Sequence, residues 1–369
     1  MFNKIFVYLK NFDWILFFAV LLLVSIGLIE IYSIALSRES FDLLNFKKQI
    51  FFVILGIFLL FLFAFLDFNY LKGLSNYLYL GGILALIAVL FFGETIRGSR
   101  SWFYFGSFGF QPVEFIKIIL IIFLARFFSE YSVRIKTIKH FIVSGLSVSI
   151  FAVLVLAQPD FGSALILLLV WLVVLLITGF SKKYFFIIAL ILIILFTSAW
   201  LFFFKDYQKE RIITFVNPSY DYLDQGYNAT QATIAVGAGG LTGRGIGFGS
   251  QSQLKFLPEA QNDFIFAVIA EELGFLGVGL IILFFSVFYY RCIIIIKRVN
   301  NDFAIFLILG AMGLIFIEMF INIGMNIGIL PVIGISLPFV SYGGSAVLSS
   351  LILVGIIENI IIRSRISYT

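Results

Sequence analysis

The chain has almost none of the residues on which metal sites and histidine triads depend. It holds one cysteine, Cys292, and one histidine, His140, in 369 residues. A lone cysteine makes no intrachain disulfide, and a Cys/His metal site or a His-based triad is excluded within one chain. Proton transfer must fall to carboxylates, lysine, tyrosine or water. Charge is scarce too, at 12% of residues, against about 25% in a globular domain. The formal charge of +5 is scattered among apolar runs, which reads as topology signals and not as a nucleic-acid surface.

What is abundant is hydrocarbon: 62% of residues are hydrophobic, with a mean hydropathy of +1.12. Phe, Ile and Leu recur in runs long enough for helices of roughly 20 residues that cross a bilayer. The expected fold class is all-α, a single polytopic membrane domain over residues 1–369. Lys4 and Lys10 precede an apolar segment with no small-residue cleavage site, which reads as a first span and not as a cleaved signal peptide.

Ten spans are expected, near 13–35, 46–66, 73–92, 112–130, 138–157, 161–179, 182–204, 263–290, 302–326 and 340–362. One set of flanks gathers Lys4, Lys10, Lys72, Arg134, Lys182, Arg291, Arg298, Arg363 and Arg365. By the positive-inside rule both termini are then cytoplasmic, and the long loop at 205–262, between spans seven and eight, lies outside. The outer face carries the unusual segments: ETIRGSRSWFYFGSFGFQPVE, QPDFGSA, the long loop, and NIGILPVIGISLPFVSYGGSA. Non-helical backbone at that level needs protein or a watery cavity around it, so a polar cavity open to the outside is expected. Four ordinary loops are the plainer alternative.

The stretch 257–274, LPEAQNDFIFAVIAEELG, is the candidate active centre. Glu259, Asp263, Glu271 and Glu272 lie in or beside a strongly apolar helix, and ionised carboxylates in hydrocarbon are functional candidates by default. At 100° per residue Glu271 is about 80° round from Asp263 and roughly 12 Å deeper, with Glu272 almost opposite. Asp263 alone sits at the helix mouth. It reads either as an N-cap or as a base whose ionised form the helix dipole favours. Glu114 and Lys117 share a helix face, as a structural clamp or as a cavity wall facing a charged substrate. Asp160 reads as a cap of the sixth span. Arg97, Arg100, Arg211, Arg244 and Lys255 are outward cations of the kind a phosphate needs. GAGGLTGRGIGFG offers permissive glycines but lacks the GK[ST] ending of a P-loop. Glu30 and Glu318 lie within spans, and spacing assigns them no partner.

Together QPVEF (111–115), QPDFGSAL (158–165), RIITFVNP (211–218), SQSQLKFLPEAQNDFIFAVIAEELG (250–274) and LPFVSYGGSA (337–346) make the chain resemble the bacterial shape, elongation, division and sporulation (SEDS) family. The likeness runs from the first span to the tenth. The wording of SQSQLKFLPE and NIGM is more similar to the elongation members than to the division members. One departure stands out: the family's usual His-Thr pair before the aspartate is Gln261-Asn262 here, so a neighbouring His is not essential.

The resemblance implies an inverting peptidoglycan glycosyltransferase. It would polymerise lipid II into glycan strands on the outer face of the cytoplasmic membrane, beside a class B penicillin-binding protein. Asp263 then matches the catalytic aspartate. Arg100, Arg211, Arg244, Lys255 and Glu259 are the expected substrate-binding set, and Glu114, Lys117 and Asp160 support the cavity. No cofactor or metal ligand set is expected, although a divalent cation, Mg or Mn, is compatible with a diphosphate leaving group. The alternatives are a flippase for the same lipid-linked precursor, which would move lipid without lengthening glycan, and a scaffold for the penicillin-binding protein.

Overall fold

The computed structural model describes residues 2–36, 43–96, 98–106, 108–130, 138–198, 200–201, 209, 225–254, 256–257 and 259–367. A short helix, α1 (Phe2–Asn11), leads into α2 (Trp14–Leu36), α3 (Leu44–Phe65) and α4 (Phe68–Phe92). Next come β1 (Glu94–Ile96), β2 (Ser99–Phe105) and β3 (Phe108–Phe110), then α5 (Pro112–Glu130), α6 (Ile138–Leu156), α7 (Phe161–Thr178) and α8 (Lys182–Ser198). The second half holds α9 (Gln225–Ala238), α10 (Ser250–Gln253), α11 (Ile265–Ile296), α12 (Asp302–Asn326) and α13 (Gly344–Ser367).

Eight of the described helices are long and apolar enough to cross a membrane, so the chain is a multi-pass membrane protein. Two of the expected spans form helices that fall short of that standard. α5 carries Glu114, Lys117 and Arg126, and α8 has 17 residues. Local chemistry sets the helix ends. Asp67, Asp160 and Asn301 accept backbone N–H groups as N-caps of α4, α7 and α12. Pro112 opens α5, where its missing N–H costs nothing, and Gly179 closes α7 in the left-handed region.

The bundle is organised around α13. Every residue from Val347 to Ile362 is buried, the polar Ser349, Ser350, Glu358 and Asn359 among them. α3 lies along it at small residues: a Cβ on Gly56 would stand 2.5 Å from Leu351, and one on Gly355 would stand 2.5 Å from the Leu60 carbonyl. Without a hydrophobic drive between helices in lipid, such close approach is what holds them. A second core, around Tyr79, Leu86, Phe128, Phe151 and Trp171, joins α4 to α7.

The non-helical backbone expected after α4 is a sheet: β1, β2 and β3 pair antiparallel, with Phe103 opposite Phe110 and Phe105 opposite Phe108. The stretch expected as a loop at 205–262 contains α9 and α10 in its described part.

Polar contacts group the helix ends on two faces. On one, Asp13 before α2 binds Arg291 of α11 and Arg365 of α13, and Asp67 binds Arg363. On the other, Ser99 of β2 donates to the Gln158 carbonyl, and the turn before α11 meets the segment before α13.

Candidate active site

Asp263 lies in a turn and not in a helix. α11 begins at Ile265 with Phe264 as its N-cap, so Asp263 stands one residue before the cap position. The turn winds on the Glu259 carbonyl, which accepts the N–H of Asn262 at 3.0 Å and of Asp263 at 3.2 Å. Glu259 takes a left-handed φ of 55° there, and its exposed carboxylate accepts from Asn262 Nδ2 at 2.8 Å.

Neighbouring elements pin this turn residue by residue. The Asp263 carbonyl accepts from Asn322 Nδ2 at 3.0 Å and from Asn326 Nδ2 at 2.9 Å, both on α12. Ser341 Oγ donates to the Asn262 carbonyl at 2.7 Å, and Tyr342 N–H donates to the Gln261 carbonyl at 2.8 Å. Asn45 Nδ2 reaches the Gln261 side chain at 3.2 Å. The Asp263 carboxylate is half-buried beside Gly334, where an added Cβ would stand 3.5 Å from Oδ2. The aspartate is therefore held by its backbone, at the meeting point of the QND, NIGMN and LPFVSYGG segments.

Glu114 and Lys117 pair as their spacing suggests, at 2.7 Å, but Lys117 has a second partner, Glu318 of α12, at 2.6 Å. Lys117 is 4% exposed, and a buried charge is tolerable there because two carboxylates face it. Ser349 Oγ reaches Glu114 at 3.4 Å. Asp160 lies within electrostatic reach of Lys117 and Glu114. It accepts from Ser163 N–H at 3.0 Å and from Gln111 Nε2 at 3.3 Å, as the expected cap of α7. Burial raises its carboxyl above the usual value, against the pull of the Ser163 bonds and Lys117.

Glu271 and Glu272 belong to a different structure. α11 is broken at Gly274, which takes φ 66°, ψ −160°. The glycine-rich stretch lies across that break: Arg244 and Gly245 N–H donate to the Glu271 and Glu272 carbonyls, and Phe275 and Leu276 N–H donate to Gly240 and Leu241. Glu271 accepts from the N–H groups of Gln251 and Ser252, and Glu272 from Gly247 N–H, Ser33 Oγ and Gln253. An added Cβ on Gly243 would lie 2.1 Å from the Glu272 carbonyl. The glycines thus serve close backbone approach to α11, and these N–H groups face protein acceptors. Arg244 is exposed and donates to Ser250 Oγ at 2.8 Å. Arg100 closes the sheet onto α4, donating to the Gly93 and Phe91 carbonyls at 2.8 Å. Glu30 is fully buried near Glu272. Arg97, Arg211 and Lys255 lie outside the described residues.

Sequence reasoning missed Asn322, Asn326 and Ser341. A signal was there: two carboxamides four apart inside an apolar span, which in lipid must find polar partners. Among the described residues no three His, Cys, Asp or Glu side chains group to hold a metal ion.

Residues 13–366 match the family model of the FtsW, RodA and SpoVE proteins, described as a cell cycle protein. The chain belongs to this family. It is the SEDS family that the motifs resemble, and the match covers every helix from α2 to α12 and nearly all of α13. Within the FtsW/RodA/SpoVE family the chain is 37% identical to stage V sporulation protein E of Bacillus subtilis, over 96% of this chain and 98% of that one. It is 35% identical to peptidoglycan glycosyltransferase MrdB of Escherichia coli K12, over 78% of each. A chain of a solved peptidoglycan synthase complex that coordinates polymerization and crosslinking superposes with a TM-score of 0.81. It is 28% identical, covering 96% of this chain and 98% of that chain. The rod shape determining protein RodA of Thermus thermophilus superposes with a TM-score of 0.71 at 27% identity, over 97% and 98%.

Proposed function

We propose that this family member is a peptidoglycan glycosyltransferase that polymerises lipid II, with Asp263 as general base. The observation that carries the assignment is the setting of Asp263: a half-buried carboxylate whose backbone is pinned by two buried carboxamides and by Ser341. A side chain carried on a backbone pinned in this way suits the placement that proton transfer requires.

In the proposed step the acceptor sugar's 4-hydroxyl attacks the donor's anomeric carbon. A C–O bond forms there as the bond to the diphosphate breaks. The hydroxyl proton passes to Asp263, and the polyprenyl diphosphate leaves with the bonding electron pair. This leaving group is already a stable anion, so it needs positive charge and no acid; a glycosidase needs a second carboxyl because its leaving alkoxide must be protonated. One displacement converts an α-linked donor into a β-linked chain. Arg244, with Arg211 and Lys255, is assigned to the diphosphate. Glu259, in the Asp263 turn, and Arg100, on the sheet, are assigned to the same substrate, and Mg or Mn would act as a further neutralising charge. The turn carrying Asp263 faces outward, at the surface where a lipid-anchored sugar is met. Ten spans, with both termini cytoplasmic, complete this topology. A class B penicillin-binding protein is the proposed partner, and elongation the proposed setting, on the wording of SQSQLKFLPE and NIGM.

The test is lipid II polymerisation by the purified chain with its class B partner, wild type beside Asp263→Ala and Asp263→Asn, with and without Mg or EDTA. Moenomycin and a β-lactam exclude classical glycosyltransferases and transpeptidation. Folded, partner-bound variants should make no detectable glycan, a loss of at least about 10²-fold for removal of a general base. Full activity in either variant would move the base elsewhere. A wild type that moves lipid II across the bilayer without lengthening glycan would establish the flippase reading instead.

A further inference from the structure

In a regular helix starting at Asp263, the Ala267 N–H would donate to the Asp263 carbonyl, four residues back. Here the Asn326 carboxamide stands between them. Its Nδ2 donates to the Asp263 carbonyl at 2.9 Å, and its Oδ1 accepts the Ala267 N–H at 3.1 Å. One side chain replaces the first rung of the ladder, and α11 begins two residues after Asp263. Asn322, one turn earlier on α12, adds a second donor to the same carbonyl and bonds the Ile335 carbonyl at 2.7 Å. Both carboxamides are fully buried. Burying them is tolerable because each is satisfied; Asn326 Nδ2 also reaches the Asn322 carbonyl at 2.8 Å.

We propose that Asn326, supported by Asn322, is a positioning residue for the reaction. Its carboxamide wedges open the first turn of α11 and keeps Asp263 out of the helix, with the carboxylate beside Gly334. This rests on the reading of Asp263 as general base. Loss of the wedge lets Ala267 N–H close directly on the Asp263 carbonyl. The helix then winds back over Asp263 and carries the carboxylate away from its place. A displacement of about 1 Å in a catalytic group costs on the order of 10²-fold in rate. Glu318 lies about two turns before Asn326 on α12, about 80° round, and its ion pair with Lys117 anchors the helix that supplies the wedge.

The experiment measures kcat and KM for lipid II polymerisation by the full chain with its class B partner, and the melting temperature of each variant. Asn326→Asp keeps the shape and the acceptor for Ala267 but turns an oxygen onto the Asp263 carbonyl in place of the N–H. It should fold, keep KM within about twofold, and lower kcat by about 10²-fold, the pattern of a lost transition-state arrangement. Asp263→Asn is run alongside. If Asp263→Asn is inactive while Asn326→Asp turns over like wild type, the positioning proposal fails and the base assignment stands. If Asp263→Asn is itself active, the base assignment fails first. A rise in KM with kcat unchanged would also overturn the proposal. If Asn326→Asp does not fold, Asn322→Ser, which removes one donor, decides by the same kcat criterion. Failure of both to fold would make the pair structural and overturn the positioning role.

Discussion

Asp160 carries two opposing duties. As the N-cap of α7 it must accept the Ser163 N–H, yet it is buried near Glu114 and Lys117. Burial wins, and its carboxyl titrates above the usual value. The folded state therefore favours the protonated form. The stabilisation it contributes is complete below the ordinary value of about 3.9 and is lost as pH rises through the raised folded value. Asp160→Asn keeps an acceptor for the cap and removes the titration. Its melting temperature at pH 7–8 should equal or exceed wild type, with a flatter pH dependence. Asp160→Ala loses the cap and should cost about 1 kcal/mol. Equal destabilisation by both variants would show that the charge, and not the cap, holds this turn. The cap was legible from QPDFGSA because an acidic residue directly before an apolar run has a local meaning. The second partner of Lys117 was not, since Glu318 lies 201 residues away and only packing brings it close.

At the scale of elements, hydropathy finds the long helices well because a span must satisfy its own backbone along its whole length. The same logic fails where a helix is broken and its partner is backbone. α11 reads as a continuous apolar run, yet it kinks at Gly274, and the freed groups are satisfied by the glycine-rich stretch. In sequence that stretch resembles a cradle for anions, because glycines for close approach and glycines for phosphate look alike. The sheet was hidden too, since SRSWFYF alternates too weakly to read as a strand. Two glycines of α11 separate the effects. A Cβ on Gly274 would lie 2.2 Å from Gly243 N at a φ of +66°, while one on Gly279 meets nothing within 4 Å. Gly274→Ala should therefore lower stability by at least about 1–3 kcal/mol, with loss of the loop docking. Gly279→Ala should be neutral or stabilising by about 0.5–1 kcal/mol. Melting temperatures in one detergent compare the two, and similar values would mean that the kink is not needed.

For the whole molecule, the distribution of polar contacts defines two faces and the sequence supplies a direction. Asp13, Asp67, Arg291, Arg363 and Arg365 meet on one face. The sheet, the turn before α7, the Asp263 turn and the segment before α13 are tied together on the other. The first face collects most of the Lys and Arg residues that flank short connections, and on that bias it is the face proposed to lie in the cytoplasm. The proposed base and the charge bias thus point the same way: the face poorer in short-loop cations holds Asp263, the carboxylate proposed to meet a lipid-anchored sugar. Cys292 is fully buried, so the native chain gives little background to thiol labelling. Thr95, exposed on the sheet, and Lys10, also exposed, report opposite faces when each is replaced by cysteine. With a membrane-impermeant maleimide on intact spheroplasts, Thr95→Cys should label at once, and Lys10→Cys only after permeabilisation. The reverse pattern would place Asp263 in the cytoplasm, where the proposed acceptor strand is absent, and the outward-facing synthase reading would fall with it.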